Sequence, residues 1–535
     1  METKTEFIIR HTKGDASIAV REAVEHCKEK HIQYLKLEKG EYHFYPETAS
    51  EDTNCCVSNH GHNGYKRTAF LITDMKDFTV DCSGSLLVFH GAMNAFIVRR
   101  CGNVTVRGAR ILFERTLHAQ FRVTAASGGC TELTQDGQQG YVYENGLLYL
   151  ENEQGYRNLV YTCEEITPDG AFVYGEQCFG KDFLLLKNED LGNGKIRIYN
   201  PPRTPAKGNY VVLVAAERYA NAVLFLESKD VFAVDCCVYS SFGIAYHAQR
   251  CENVTLERCR TEKYGSRCFS ANADASHFVG CRGLVRISGC HFRHQLDDGV
   301  NVHGVFTKII AKDEQSIIVK YAHYQCRGLE LFERGCRIEA LNRKSLIPYK
   351  ASTVVRLDVL NIESTRLFLE DGTDGFEVGD LVDSIDFYPD VIIENCRFIN
   401  NRARGILIGA KGKVIIKNNY FHVPGIAIDL ESDSTYWYES GGVRELSIEN
   451  NIFDDCCYIE GRTWGSDVIF TTRREEIEPG KYYHGKIIIK NNDFSNCRVP
   501  VIDAENIEWL IMENNKMNHV PDAVKLRHCG RIERS

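Results

Sequence analysis

The stretch His294-Gln295-Leu296-Asp297-Asp298-Gly299-Val300-Asn301-Val302-His303-Gly304 is the densest polar constellation in the chain. A third acid, Asp274 in Asn272-Ala273-Asp274-Ala275-Ser276-His277, lies 23 residues before Asp297, a spacing that one coil of a repeat would stack on the same face. Three carboxyl groups on one face suit hydrolysis of a glycosidic bond, where one protonates the departing oxygen and another activates water. Crowding of like charge raises at least one pKa, so a proton can be held near neutral pH. Calcium binding is the rival use of clustered carboxylates. The run has no further Asp or Glu to complete such a site.

The elements that must position these acids are visible as a repeat. One eight-residue phrase recurs as VFAVDCCV from Val231, VTLERCRT from Val254, VRISGCHF from Val285 and VIIENCRF from Val391. It continues as VIIKNNYF from Val414, LSIENNIF from Leu446, IIIKNNDF from Ile487 and LIMENNKM from Leu510. Its sixth position reads Cys236, Cys259, Cys290, Cys396, Asn419, Asn451, Asn492 and Asn515. Such a column predicts an all-β fold, a right-handed parallel β-helix whose coils stack about 4.8 Å apart. Inward Asn side chains would hydrogen-bond along the stack, and Cys would fill the same corner without polar demand. Asn-Asn also suits bends, because Asn tolerates left-handed backbone angles.

Breaks in the spacing locate two insertions, each expected as a small β-barrel or sandwich of short alternating strands. The expected organisation is a cap and first coils over 1–119, a barrel-like insertion over 120–216 and catalytic coils over 217–305. A second barrel-like insertion over 306–389 and C-terminal coils over 390–535 follow. The second insertion begins just after His303 and is placed to wall a pocket beside the acids. At the N-terminus Val20, Ala23, Val24 and Cys27 fall at helical spacing with Asp15 positioned to cap, predicting a helix that closes the solenoid end.

Composition excludes other classes. With 64 basic and 73 acidic side chains the net charge is −9, and no basic cluster invites nucleic acid or an anionic membrane. No apolar run reaches a membrane span, and the charged start Met1-Glu2-Thr3-Lys4-Thr5-Glu6 does not read as a signal peptide. The expectation is a cytoplasmic protein as written, or a secreted one if a leader was removed. The 22 cysteines include three adjacent pairs and no CxxC, so they read as reduced, buried apolar groups.

The run from Val254 through Cys259, Ala273 to Phe278, Cys281-Arg282-Gly283 and Leu296 to Gly304 resembles the core of glycoside hydrolase family 110. The likeness continues in Ala403-Arg404-Gly405-Ile406-Leu407 and Tyr436-Trp437-Tyr438-Glu439-Ser440-Gly441, and spans about 78–517. Members of that family are inverting exo-α-1,3-galactosidases, including ones that remove the terminal galactose of the blood group B antigen. The resemblance implies Asp297 as general acid, with Asp274 and Asp298 as the pair activating water, at an acid–base separation of roughly 6.5–9.5 Å. It implies a galactose-terminated glycan as partner and neither cofactor nor metal; a homodimer is compatible with it. Asn301, His303, His277 and Arg404 would bind sugar hydroxyls. Trp437 would face the galactose ring, and Glu431, Asp433 and Glu439 would each grip two hydroxyls.

Two alternatives use the same scaffold. A polygalacturonase-like hydrolase would carry Gly-His-Gly and Arg-Ile-Lys near its acids. Neither follows Asp298, and Asn59-His60-Gly61-His62 lies far upstream. A glycan-binding β-helix of the tailspike sort has no need of three mutually repelling carboxylates one coil apart.

Overall fold

The computed structural model describes residues 6–11, 13–59, 64–137, 140–175, 177–180, 185–215, 217–461, 465, 467–471, 473–521 and 524–535. The charged start at 1–5 and the His60-Gly61-His62 segment lie outside the described residues.

The repeated phrase is a strand of a parallel β-helix, and its register is the one the phrase spells out. Val231 pairs with Val254, then Val285, Val391, Val414, Leu446, Ile487 and Leu510 in succession, all parallel. Phe78 and Val104 precede Val231 in the same column. The eighth position makes a second column in an eleven-stranded sheet, where Phe398, Phe421, Phe453 and Phe494 stack with ring centroids 4.7–4.9 Å apart. Aromatic stacking at the coil spacing fills the interior without gaps.

The corner before each second strand is built as its residues require. Asn395, Asn418, Asn450, Asn491 and Asn514 all have φ between 50° and 56°. This left-handed bend turns the next side chain inward. Asn451 then accepts from the Asn419 backbone N–H and Nδ2 at 2.9 and 3.0 Å. It donates its own Nδ2 to the Ile416 carbonyl and to Asn492. Replacing Asn451 with Ala strands two buried donors on Asn419, an expected loss of about 2–4 kcal/mol. A urea melt followed by circular dichroism reads it as a lowered midpoint. All 22 cysteines are free and 19 are buried, with Cys236, Cys259, Cys290 and Cys396 continuing the Asn column.

The helix Ser17–Lys30 buries Val20, Ala23, Val24 and Cys27 against the first strands. Its N-cap is Ala16, and Asp15 serves from one residue further out, taking the Ser17 N–H at 2.8 Å. Strands from His118–Ser127 to Tyr210–Ala215 form an eight-stranded antiparallel sheet. Strands from Thr307–Lys312 to Leu381–Ser384 close a six-stranded barrel with its own apolar core. Among the described residues no helix is long and apolar enough to cross a membrane.

Candidate active site

Asp274 sits in the turn two residues before the strand Ser276–Val279, and Asp298 two residues before Val300–Val305. The strands pair with Ser276 opposite Val300, an offset of 24. Asp274 therefore lies over Asp298, where the 23-residue spacing had placed it over Asp297. On the next coil Val300 pairs with Ile406, which brings Arg404 beneath Asp298. The column is stitched by its own polar groups. Asp274 Oδ1 accepts the Asp298 backbone N–H at 3.1 Å. Asp298 accepts the Arg404 backbone N–H at 2.8 Å and its Nη2 at 2.9 Å.

Asp297 stands off this column and is the most open of the three, its side chain 20% exposed against 4% for Asp274 and 2% for Asp298. Arg218 donates to it at 2.7 Å, and Arg402, anchored on Glu164 at 2.9 Å, approaches to 3.9 Å. These guanidinium groups, with Arg404, outweigh burial and hold the Asp297 carboxyl below its ordinary value. Burial drives the other two upward: Asp298 to about 7 despite Arg404, and Asp274 well above the carboxylate range with Asp297 and Asp298 adding to it. The proton of the cluster thus rests on the stacked pair and not on Asp297, the residue expected to donate it.

One oxygen of each of the three acids lies within 4.8 Å of the others. That is closer than the 6.5–9.5 Å usual between acid and base in inverting glycosidases.

The cleft above the acids encloses about 430 Å³ and is walled by both inserted modules. Tyr161, Thr162 and Glu164 come from the eight-stranded sheet, and Tyr324 and Gln325 from the barrel. Asn301, Arg404, Glu431, Asp433, Trp437 and Glu439 all line it. Burial also raises the Glu431 carboxyl. Trp437 is 40% exposed and packs with Tyr436 and His323 as an aromatic rim.

Two expected roles change. His277 and His303 are buried behind the acids and do not line the cleft, so they cannot grip hydroxyls. Asp433 spends its carboxylate on its own loop, accepting from Thr435 at 2.7 Å, Tyr436 at 2.8 Å and the Trp437 backbone N–H. It shapes the loop that presents Trp437, and gripping two sugar hydroxyls would compete with these bonds.

Among the described residues, two groups hold donor atoms close enough to surround a cation: the aspartate trio, and His277, His303 and Glu439. In the first, three arginines already supply the positive charge. In the second, the two Nε2 atoms stand 2.9 Å apart, a hydrogen-bond distance. Two imidazoles on a tetrahedral zinc at about 2.0 Å would stand about 3.3 Å apart.

Arg218, Arg402 and Glu164, which set the charge on Asp297, were not singled out from the sequence. Arg402 carried a signal, since it sits two residues from Arg404 in the same turn. Arg218 carried none.

A family model described as a right handed beta helix region matches residues 347–531. The alpha-1,3-galactosidase A of Shewanella woodyi is 29% identical over 526 residues, covering 96% of this chain and 85% of that protein. The alpha-1,3-galactosidase A of Bacteroides fragilis is 29% identical over 511 residues, covering 93% and 83%. The alpha-1,3-galactosidase B of Bacteroides thetaiotaomicron is 27% identical over 509 residues, covering 93% and 82%. Among solved structures, the exopolygalacturonase of Thermotoga maritima gives a TM-score of 0.42 at 12% identity, covering 96% of this chain and 92% of that one.

Proposed function

We propose that the chain is an exo-acting glycoside hydrolase of family 110 type that releases terminal α-1,3-linked galactose with inversion and without a metal. Its substrates would be glycans of the blood group B or linear α-galactosyl kind. The observation that carries this reading is the aspartate trio lining a cleft to which both inserted modules contribute walls. The relatives that bear the name α-1,3-galactosidase align with nearly the whole chain, the trio included in the aligned span. Inversion is carried by the family resemblance alone; the spacing of the trio, within 4.8 Å between nearest oxygens, does not supply it.

The roles divide along the column. Asp274 and Asp298, stacked one coil apart, hold the attacking water and take its proton. Asp297, off the column and open to the cleft, hands a proton to the departing oxygen. The three titrate as a set, so the proton held on Asp298 reaches Asp297 within the 4.8 Å cluster. Activity requires that proton, which leaves as pH rises past about 7. The expected profile of kcat/KM falls on the alkaline side of that value. The runner-up, a polygalacturonase-like hydrolase, has no specific observation in its favour.

Incubation with α-1,3-, α-1,4- and α-1,6-galactobiose and with polygalacturonate, with released sugar assayed, tests the reading. Galactose from the α-1,3 substrate alone is expected; galacturonate release would overturn it. Chelator treatment should leave the rate unchanged, because guanidinium groups supply the positive charge at the acids. A rate lost to chelator and restored by a divalent cation contradicts the metal-free assignment.

A further inference from the structure

Behind the cleft floor, Asp274, His277, His303 and Glu439 form a chain whose proton count can be deduced. His303 Nδ1 stands 2.5 Å from the Gly304 carbonyl oxygen, which can only accept, so that nitrogen carries a hydrogen. His277 Nε2 and His303 Nε2 are 2.9 Å apart, and two bare lone pairs would repel, so one hydrogen lies between them. His277 Nδ1 and Asp274 Oδ2 are 2.5 Å apart, and a third hydrogen lies there. Two neutral imidazoles bring only two hydrogens. The chain therefore holds one extra proton, which can sit on Asp274, on His277 or on His303 without breaking a contact. On His303 it is 3.5 Å from Glu439 Oε1. Asp274 and Glu439 both reach the cleft, whereas the two rings between them are buried.

We propose that His277 and His303 are a buried proton relay joining Asp274 to Glu439, and that it clears the proton Asp274 takes from water during galactoside hydrolysis. This rests on the function proposed above. In the step, a water O–H bond breaks as its oxygen bonds to the galactose anomeric carbon. The proton goes to Asp274 and the extra proton of the chain shifts toward His303 and Glu439. The anomeric carbon–oxygen bond breaks with its electron pair passing to the departing oxygen, which takes the proton of Asp297. Glu439 then releases the surplus proton to solvent, and Asp297, open to the cleft, takes a proton back from solvent, so that no net proton is gained or lost. Both histidines act through Asp274, so they are positioning residues.

The groups facing the relay suit this. His247 packs edge-on to His277 with ring centroids 5.2 Å apart, and burial with His303 pushes its pKa down to about 3, so it stays neutral. Asn59 reaches within 3.4 Å of His277 Nε2, and its amide turned oxygen-first would accept a hydrogen there. Glu439 is also held by Asn301 Nδ2 at 3.4 Å.

Two measurements on the full chain test the relay. In protein labelled with ¹⁵N-histidine, spectra at neutral pH should show a hydrogen on His303 Nδ1 and one shared by the two facing Nε2 atoms. The shared signal should vanish in His303→Asn. Its absence from wild type, or a stoichiometric bound metal by elemental analysis, overturns the proposal whether or not the protein hydrolyses galactosides. In kinetics, His303→Ala should lower kcat about 100-fold with KM little changed. Added imidazole should restore part of the rate, and the alkaline limb of the pH profile should move. A folded His303→Ala variant with no rescue and an unmoved profile reduces the histidines to packing and also overturns it. If wild type releases no galactose, the functional reading fails, while the labelled-histidine spectra still decide the relay.

Discussion

Asp297→Asn is expected to lower kcat/KM on α-1,3-galactobiose by about 10³- to 10⁴-fold, while an aryl α-galactoside loses far less. A sugar leaving group needs a proton as its bond breaks; an acidic phenol does not. The substrate-dependent loss marks a donor and separates Asp297 from the stacked pair. Asp274→Asn should depress both substrates alike, because water activation is needed whatever departs. Circular dichroism confirms that each variant is folded. Equal losses for Asp297→Asn on both substrates would move the donor role to Asp298, where burial already holds a proton near pH 7.

Arg404→Leu carries the second large effect, on stability and on chemistry together. Asp298 is buried with its two oxygens on the Arg404 backbone N–H and Nη2. Removing the guanidinium leaves a buried carboxylate short of its cation, a loss of about 3–5 kcal/mol when a buried pair is broken from one side. Arg404 lowers the Asp298 pKa, so its loss raises it further above 7. The proton is then retained to higher pH, and the alkaline limb of kcat/KM moves upward as the midpoint of a urea melt falls. An unmoved limb would show that Arg404 does not set the charge of the trio.

The solenoid was legible because its coils repeat a chemical phrase: each column of Cys, Asn or Phe recurs at the position the stack demands. The acids were legible as types but not in register. The ladder steps 23 residues from Cys236 to Cys259, the spacing that also separates Asp274 from Asp297, yet the strands of the site step 24 from Ser276 to Val300. Coils vary in length between corners, so spacing read at one corner does not transfer to another. That one-residue difference put Asp274 over Asp298. Arg218 was invisible because it reaches Asp297 across 79 residues of chain, through the close of the first inserted sheet. His277 and His303 looked like sugar ligands, since polarity alone does not tell the cleft side of a strand from the side behind it. Asp433 was readable in principle: Asp-Ser-Thr opens a turn in which the carboxylate caps the following backbone N–H groups.

The most direct test of the account is a proton NMR time course of wild-type protein with α-1,3-galactobiose, recorded before the released sugar mutarotates. Displacement by water held on Asp274 and Asp298 predicts β-galactose as the first product, with the α-anomer growing in afterwards. No galactose, or α-galactose appearing first, contradicts it.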